Sequence, residues 1–212
     1  MPVADGEALK RRWGRAVHKT RWRLIEQYAG THVLDAGCGA GAYVSRLIEN
    51  GYRTVGLDIE LPPDAPRGVT CAGSAEQLPF ADESFDTVLL INVLEHLDDD
   101  VRALHEAHRV CRYNLILSVP RVEDPVLGKY GLTCSPYTDF GHRRHYSEEM
   151  LRSALCASGF RPEWIRPVMP INPLGLVLRM FHLPGKDLGK LVHACPGVRK
   201  IYTTLHAVGR KA

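Results

Sequence analysis

The sequence predicts an α/β fold built on a doubly wound, mostly parallel sheet, and three observations point to it. Short apolar runs alternate with segments whose apolar residues recur at helical spacing, which is typical of βαβ units. Residues 114–119 are almost continuously apolar, as expected of a strand covered on both faces. A glycine-rich turn, Gly37 to Gly41, joins the first apolar run to a helical segment. Together these features favour helices packed on both sides of a parallel sheet.

Seven strands and four helices are predicted along the chain. The strands are residues 31–34, 53–59, 69–73, 86–93, 114–119, 160–171 and 201–210, and the helices are residues 9–28, 42–50, 101–111 and 148–158. Gly51 is placed to end the second helix, and the acidic turn 98–100 suits the N-terminus of the third. Ser147 suits the N-cap of the fourth. Residues 172–200, punctuated by Pro and Gly, form a predicted insert that serves as a lid or as an elaboration of the sheet edge.

Length and composition exclude several classes of protein. The chain has 212 residues, of which 45 % are hydrophobic and 24 % charged; these values suit one globular domain and exclude disorder, collagen and coiled coil. No apolar run approaches the roughly 18 residues of a membrane span, and the N-terminal residues lack the apolar core of a signal peptide. The closest two of the six cysteines are 22 residues apart, which excludes a CxxC motif and predicts reduced thiols in the cytoplasm.

Net charge is distributed unevenly along the chain. The whole chain carries +3, but residues 1–30 carry +4, residues 31–160 carry −8 and residues 161–212 carry +7. The acidic middle segment suits a cationic ligand, whereas the basic flanks would set a positive field over a nearby entrance. This distribution favours an acidic or phosphate-bearing binding partner, or peripheral contact with an anionic membrane surface.

The glycine-rich turn lies in the sequence VLDAGCGAGAY. Glycine allows positive φ and lets a ligand approach the main chain, and the helix that follows offers free N–H groups. By spacing alone, Gly37, Gly39 and Ala42 also fit the dinucleotide fingerprint, with Asp58 in the place of the acidic residue that binds a ribose diol. Asp35 argues against that ligand, because its carboxylate would repel a pyrophosphate but attract an ammonium or sulfonium group.

Two further segments follow the turn in a characteristic order. SAEQLPF begins at Ser74, after the third strand, and FDTVLLINVLEHLDD begins at Phe85 and runs through the fourth strand. With VLDAGCGAGAY, they resemble the class I S-adenosylmethionine-dependent methyltransferases that carry the VLDxGCGxG signature, from residue 33 to residue 120. The resemblance implies a Rossmann-like sheet of seven strands, mostly parallel, with helices on both faces and the last strand pair antiparallel. It also implies S-adenosylmethionine as cofactor and S-adenosylhomocysteine as product.

The resemblance assigns a set of cofactor-binding residues. They are Asp35, Gly37, Cys38, Gly39, Asp58, Ile59, Ser74, Ala75, Glu76 and Asn92. Residues 35–39 match the turn that holds the methionine part, and Asp58 matches the acidic residue that accepts both ribose hydroxyls. Residues 74–76 fall where the family contacts adenine, although Ser74 stands where the family often has Asp. Asn92 matches the position whose backbone lines the reactive end of the cofactor. The family's usual Pro-Gly-Gly turn before the fifth strand is absent.

A second motif predicts the acceptor side of the site. GHRRHYS, residues 141–147, resembles the family's H-x-R-x-[FY]-[ST] motif. A hydroxyl acceptor must lose a proton, and histidine titrates near neutral pH. The candidate general bases are His142, His96 and His145. Arg144 and Tyr146 are the candidate acceptor-binding residues, with anchoring of this loop by hydrogen bonds as the alternative for His142 and Arg144. We expect no metal, because no ligand spacing such as HExxH occurs.

We therefore expect a methyltransferase that acts on a small-molecule or a lipid- or sugar-linked acceptor, with oxygen as the favoured target atom. The alternatives are an RNA-directed methyltransferase, an NAD-dependent oxidoreductase, which Asp35 disfavours, and a catalytically silent cofactor-binding partner. No stable nucleic-acid partner is expected, because the sequence shows no appended RNA-binding module. Lys19 or Arg21 is a candidate to meet the cofactor carboxylate. Residues 1–212 are expected to form one domain. Its parts are a cap helix (1–30), a cofactor core (31–120) and an acceptor side (121–212).

Overall fold

A computed structural model describes residues 17–125, 141–171 and 201–212 of the chain. The first elements along the chain are α1 (Lys19–Tyr28), β1 (His32–Ala36), α2 (Ala42–Glu49), β2 (Arg53–Asp58), β3 (Thr70–Ala72) and β4 (Phe85–Ile91). After a 3-10 turn (Leu94–His96) follow α3 (Asp100–Val110), β5 (Cys111–Pro120), α4 (Glu148–Ala157), β6 (Phe160–Ile171) and β7 (Ile201–Lys211). The predicted insert 172–200 and residues 9–16 of the predicted first helix lie outside the described residues.

The strands form one seven-stranded sheet in the order β3-β2-β1-β4-β5-β7-β6. The first five strands in this order are parallel, whereas β7 runs antiparallel to β5 and to β6. The predicted Rossmann-like, mostly parallel sheet with an antiparallel last pair is therefore confirmed. The strand order reverses between β1 and β4, and in such sheets ligands bind outside the carboxyl ends of the strands at this point.

Helices cover both faces of the sheet, as predicted. On one face, α1 and α2 pack Trp22, Ile25 and Leu47 against Leu89 and Ile116 of the sheet. The opposite face carries a larger cluster with side chains from α3 and α4. Its fully buried leucines are Leu34, Leu57, Leu94, Leu104, Leu115, Leu117, Leu151, Leu155 and Leu205. Because each fully buried leucine contributes about 1.5–3 kcal/mol, these two clusters are the main source of the fold's stability.

Several predicted boundaries were wrong by one to three residues. The third helix ends at Val110, and β5 begins at Cys111 without a loop, whereas the sequence predicted helix through 111 and strand from 114. Cys111 pairs with Phe85 of β4, so strand pairing overrides the helical spacing there. The first strand extends to Ala36 instead of residue 34. The fourth ends at Ile91 instead of residue 93, because the next residue has a positive φ of 58° that no strand accommodates.

Two predicted helix starts are confirmed by their caps. An Asp99 carboxylate oxygen accepts the Arg102 backbone N–H at 2.9 Å, and the Ser147 hydroxyl oxygen accepts the Met150 N–H at 3.0 Å. A cap of this kind is worth about 1 kcal/mol to its helix. Among the described residues, no helix has the length and apolar character needed to cross a bilayer.

Candidate functional site

The glycine-rich turn leaves β1 at the carboxyl edge of the sheet and is held by the neighbouring strand. The N–H groups of Gly37 and Cys38 both donate to the Leu57 carbonyl of β2, at 2.6 and 3.0 Å. Gly37 has φ +87°, and a Cβ built on it would lie 2.2 Å from a methyl group of Val93. Glycine is therefore required here for both backbone conformation and packing space.

Asp58 binds the next glycine of the turn, Gly39, by a hydrogen bond. One carboxylate oxygen accepts the Gly39 N–H at 2.7 Å, and the other accepts the Glu60 N–H at 3.2 Å. A Cβ added at Gly39 would meet no atom within 4 Å, so the space beside the turn is open to a ligand. The side chain of Ile59, 70 % exposed, lies next to this carboxylate in the chain and offers an apolar surface at the same edge.

Asp35 is a buried carboxylate, and no basic group in the described part of the chain forms an ion pair with it. Its side chain is 1 % exposed, and one carboxylate oxygen has no hydrogen-bond partner among the described residues. Burial, and secondarily repulsion from Asp58, raise the pKa of Asp35 to about 7. Such a group is stabilised in its charged form when a cation is brought beside it.

Asn92 joins three elements at the carboxyl edge. It lies directly after β4 with a φ of +58°, and its side-chain oxygen accepts hydrogen bonds from Arg21 of α1 at 2.7 Å and from the Ser118 hydroxyl of β5 at 2.9 Å. The buried Nε of Arg21 has no partner, and the structure shows no acidic partner for this guanidinium within the described ranges. Arg21 is thus a positive charge held at the site and available to an anionic group.

His206 of β7 lies beside this cluster and was missed by sequence reasoning. It pairs with Ser118 across the β5–β7 ladder, is 1 % exposed, and its Nε2 has no partner in the part of the chain described. Burial, followed by the charge of Arg21, lowers the pKa of His206 to about 3, so it is neutral at physiological pH. No local motif surrounds His206, and only the pairing of distant strands brings it to the site.

Residues 74–76, the predicted adenine segment, form a tight turn after β3. The Ser74 hydroxyl oxygen accepts the Glu76 N–H at 3.1 Å, and a Glu76 carboxylate oxygen accepts the Asp99 N–H at 2.8 Å. Ala75 is buried. The two polar side chains therefore hold the turn and the start of α3, and an adenine contact by this segment stays a prediction.

The three histidines predicted as bases are brought together. The rings of His96 and His142 lie 4.8 Å apart edge to face, and those of His142 and His145 lie 5.7 Å apart. His96 Nδ1 lies 3.0 Å from the Gly141 carbonyl oxygen. Glu95, fully buried, precedes His96 in the 3-10 turn, and its carbonyl accepts the backbone N–H of Arg143. The turn after β4 and the loop before α4 thus form one polar cluster.

Arg144 and Tyr146 were predicted to bind the acceptor; the structure shows contacts by which both anchor the loop, and acceptor binding by either residue stays a prediction. Tyr146 is 2 % exposed, and its hydroxyl donates to an Asp100 carboxylate oxygen at 2.6 Å. Arg144 pairs with the same carboxylate and donates to the Asp98 carbonyl at 2.9 Å. These contacts fix the loop to the start of α3, because a carboxylate bonded to both tyrosine and arginine cannot move freely.

Residues 34–118 match the family model of a methyltransferase domain. The chain contains a class I S-adenosylmethionine-dependent methyltransferase domain. It is similar to a probable S-adenosylmethionine-dependent methyltransferase of Mycolicibacterium smegmatis, 30 % identical over 170 residues that cover 74 % of this chain and 63 % of that protein. It is also 26 % identical to the ubiquinone biosynthesis O-methyltransferase of Pseudomonas aeruginosa, over 52 % of this chain and 57 % of that protein. The chain thus spans less than two thirds of the length of these curated relatives.

Solved structures share the fold of the methyltransferase domain. The 1,6-didemethyltoxoflavin-N1-methyltransferase of Burkholderia thailandensis, with 1,6-didemethyltoxoflavin and S-adenosylhomocysteine bound, superposes with a TM-score of 0.62 at 19 % identity, covering 100 % of this chain and 92 % of that one. A methyltransferase from Archaeoglobus fulgidus gives 0.64 at 20 % identity, covering 98 % and 95 %. At this identity the likeness establishes the fold alone.

The polar groups of the methyltransferase domain fit its family's cofactor. The uncompensated Asp35 carboxylate suits the positive charge of the methionine part, and open space beside Gly39 admits the ligand to the main chain. The Asp58 carboxylate, already oriented by the Gly39 N–H, retains lone pairs for ribose hydroxyls. The guanidinium of Arg21 is available to a carboxylate. Its contact with the cofactor carboxylate stays a prediction.

We expect Asp58→Ala to weaken S-adenosylhomocysteine binding by about 1.5–3 kcal/mol, the scale for hydrogen bonds to a charged group. The variant loses the predicted ribose acceptor and the bond that orients the Gly39 N–H. Isothermal titration calorimetry measures the change, with Glu60→Ala as control because that side chain is exposed and contributes only its backbone N–H. Equal affinity in Asp58→Ala and Glu60→Ala would refute the ribose assignment.

Proposed function

We propose that the chain transfers a methyl group from S-adenosylmethionine to a hydroxyl oxygen of a small-molecule or a lipid- or sugar-linked acceptor. The observation that carries the proposal is the meeting of three imidazoles, His96, His142 and His145, where the turn after β4 meets the loop before α4. When bound, S-adenosylmethionine supplies an electrophilic methyl carbon and a neutral thioether leaving group.

The chain's own contribution on the cofactor side is charge compensation and alignment. Asp35 balances the positive charge of the methionine part, Asp58 orients the ribose, and Arg21 meets the carboxylate. Holding two reactants in line is worth up to about 7–11 kcal/mol of the barrier. Such alignment requires binding groups that do not move. The hydrogen bonds from Arg21 and Ser118 to the Asn92 amide hold the carboxyl edge of the sheet in place.

On the acceptor side, the histidine cluster provides a proton acceptor. The Gly141 carbonyl can only accept, so His96 carries its proton on Nδ1 and keeps the Nε2 lone pair. His142 lies between His96 and His145 and is half-buried, which places it best to take the hydroxyl proton. Oxygen is also the target atom of the Pseudomonas aeruginosa relative, an O-methyltransferase.

Charge and thiol chemistry support the finer parts of the proposal. The basic flanks, with +4 over residues 1–30 and +7 over residues 161–212, favour an acceptor with an acidic or phosphate group or a site on an anionic membrane surface. The described cysteines are all free thiols, which suits the reducing cytoplasm: they are Cys38, Cys71, Cys111 and Cys156.

An acceptor screen with methyl-labelled S-adenosylmethionine tests the proposal. Hydroxylated acids, glycolipids and lipid-linked phenols are supplied with the purified chain, and the label is followed into product. We expect an ether product and stoichiometric S-adenosylhomocysteine. Label on a nitrogen or carbon atom, or S-adenosylhomocysteine binding without turnover for any acceptor, would overturn the proposal.

We expect His142→Ala to lower turnover of the identified acceptor by about 10²–10⁴-fold, the range for loss of a proton-transfer group. We expect the affinity of this variant for S-adenosylhomocysteine to stay unchanged, because the glycine-rich turn lies on other elements. Steady-state kinetics and calorimetry measure the two quantities. His105→Ala, on the exposed face of α3, is the matched control. A His142→Ala enzyme as fast as the control would show that His142 only anchors its loop.

A further inference from the structure

We propose that Glu95, His96 and His142 bind a divalent transition-metal ion. The three residues each offer one ligand atom, and these atoms all lie within 4.8 Å of one another. Glu95 and His96 come from the 3-10 turn after β4, and His142 comes from the loop before α4. Two imidazoles and one carboxylate from two rigid segments form a recognised donor set for such ions.

The hydrogen bond of His96 prepares it as a ligand. Its Nδ1 lies 3.0 Å from the carbonyl oxygen of Gly141, so the proton is on Nδ1 and the Nε2 lone pair is available. Metal-binding histidines almost always donate their second nitrogen in this way, because the bond fixes the tautomer and the ring orientation. Gly141 directly precedes His142, so one loop supplies both a ligand and the bond that orients another.

Glu95 supplies the negative charge that the site needs. Its side chain is fully buried, and a buried carboxylate beside two imidazoles is stabilised by a bound cation. Bonds of 2.0–2.1 Å in a tetrahedral site place ligand atoms roughly 3.4 Å apart, so the side chains close inward when an ion binds. His142 is half-buried and able to make that movement, whereas Glu95 is fixed in the core.

This cluster of three ligands is visible in the structure but not in the sequence, for a topological reason. The expectation of no metal rested on the absence of a local motif, but the ligands come from segments more than 40 residues apart that the fold joins. Three protein ligands leave coordination positions free. If the proposed methyl transfer holds, an oxygen of the acceptor takes such a position and the cation lowers the pKa of its hydroxyl. With the ion bound, His142 is a ligand and not the proton acceptor, and the hydroxyl proton passes to solvent.

Cobalt(II) titration of the full chain, prepared without a histidine tag and treated with chelator, tests the site. We expect saturable binding of one Co²⁺ per chain with visible absorption bands from nitrogen and oxygen ligands. Glu95→Gln and His142→Gln each weaken this binding by at least about tenfold, because each removes a direct ligand. His105→Gln, which removes an exposed histidine of α3, binds Co²⁺ as the parent chain does.

Absence of saturable Co²⁺ binding, or equal affinity in the parent chain and His142→Gln, overturns the proposal. Thermal unfolding and S-adenosylhomocysteine binding report whether each variant is folded. If the buried Glu95→Gln change prevents folding, the half-buried His142→Gln change decides the result. Because the titration needs no acceptor, metal binding and the methyl-transfer proposal can fail separately.

Discussion

We expect Gly37→Ala to lower the free energy of unfolding by about 3 kcal/mol, through backbone strain and overpacking. The residue has φ +87°, and the added Cβ would lie 2.2 Å from a methyl group of Val93, a buried side chain that cannot retreat without disturbing the core. Urea unfolding followed by circular dichroism measures the loss.

Gly39→Ala is the matched control two residues away. Its φ of +53° is also positive, but the added Cβ meets no atom within 4 Å, so only about 1 kcal/mol of stability is lost. The methyl group instead fills space that the cofactor needs, and we expect S-adenosylhomocysteine affinity to fall much more than stability. Equal destabilisation by the two substitutions would contradict the packing argument, and unchanged affinity in Gly39→Ala would contradict the location of the ligand.

We expect Asp35→Asn to stabilise the ligand-free protein at pH 8 while weakening its affinity for S-adenosylhomocysteine. The pKa of Asp35 is raised from 3.8 to about 7 by burial and by Asp58, so the folded chain keeps a proton that the unfolded chain releases. The free energy of unfolding therefore falls as pH rises from about 4 to about 7, and the whole loss is present above about pH 7. At pH 8, Asp35→Asn therefore raises the free energy of unfolding by on the order of 2–4 kcal/mol. Near pH 4 the substitution leaves it nearly unchanged, because there the folded chain holds the Asp35 proton and the unfolded chain is only beginning to release it.

The same substitution removes the proposed counter-charge for the positive methionine part of the ligand, so we expect affinity to fall as stability rises. Urea unfolding at pH 4 and pH 8, together with calorimetric titration of S-adenosylhomocysteine, gives both quantities. Glu60→Gln, at an exposed carboxylate next to the site, is expected to change neither. A variant that is no more stable than the parent at pH 8 would refute the account of Asp35 as an uncompensated buried charge.

The sequence was sufficient to predict the sheet and the glycine-rich turn, because both depend on local chemistry. Alternating apolar runs predict strands and helices, and the glycines with Asp58 lie close together in the chain. The end of the third helix could not be predicted, since pairing of Cys111 with Phe85 overrides helical spacing. His206 was missed for a related reason: its neighbour Ser118 is 88 residues away, and no pattern in β7 distinguishes it from a core histidine.

The loop of residues 141–147 shows most clearly what a sequence motif cannot predict. The motif predicts which residue types occur, but not which way each side chain points. His142 remains half-buried in the polar cluster, whereas Tyr146 turns into the core and bonds Asp100. The bridge between Arg121 and Tyr146 extends this segment alongside the end of β5, and that pairing decides the direction.

The position of β7 governs the order in which the sheet is completed during synthesis. This strand follows all the other described strands in the chain but lies inside the sheet, between β5 and β6. Until the ribosome has released residues 201–211, the outer edge of β5 presents unpaired N–H and C=O groups, and β6 has no strand to join. Such an edge is a template for association with other chains. The β5 edge therefore stays unpaired for as long as the chain between β5 and β7 is being synthesised, although the glycine-rich turn is made early.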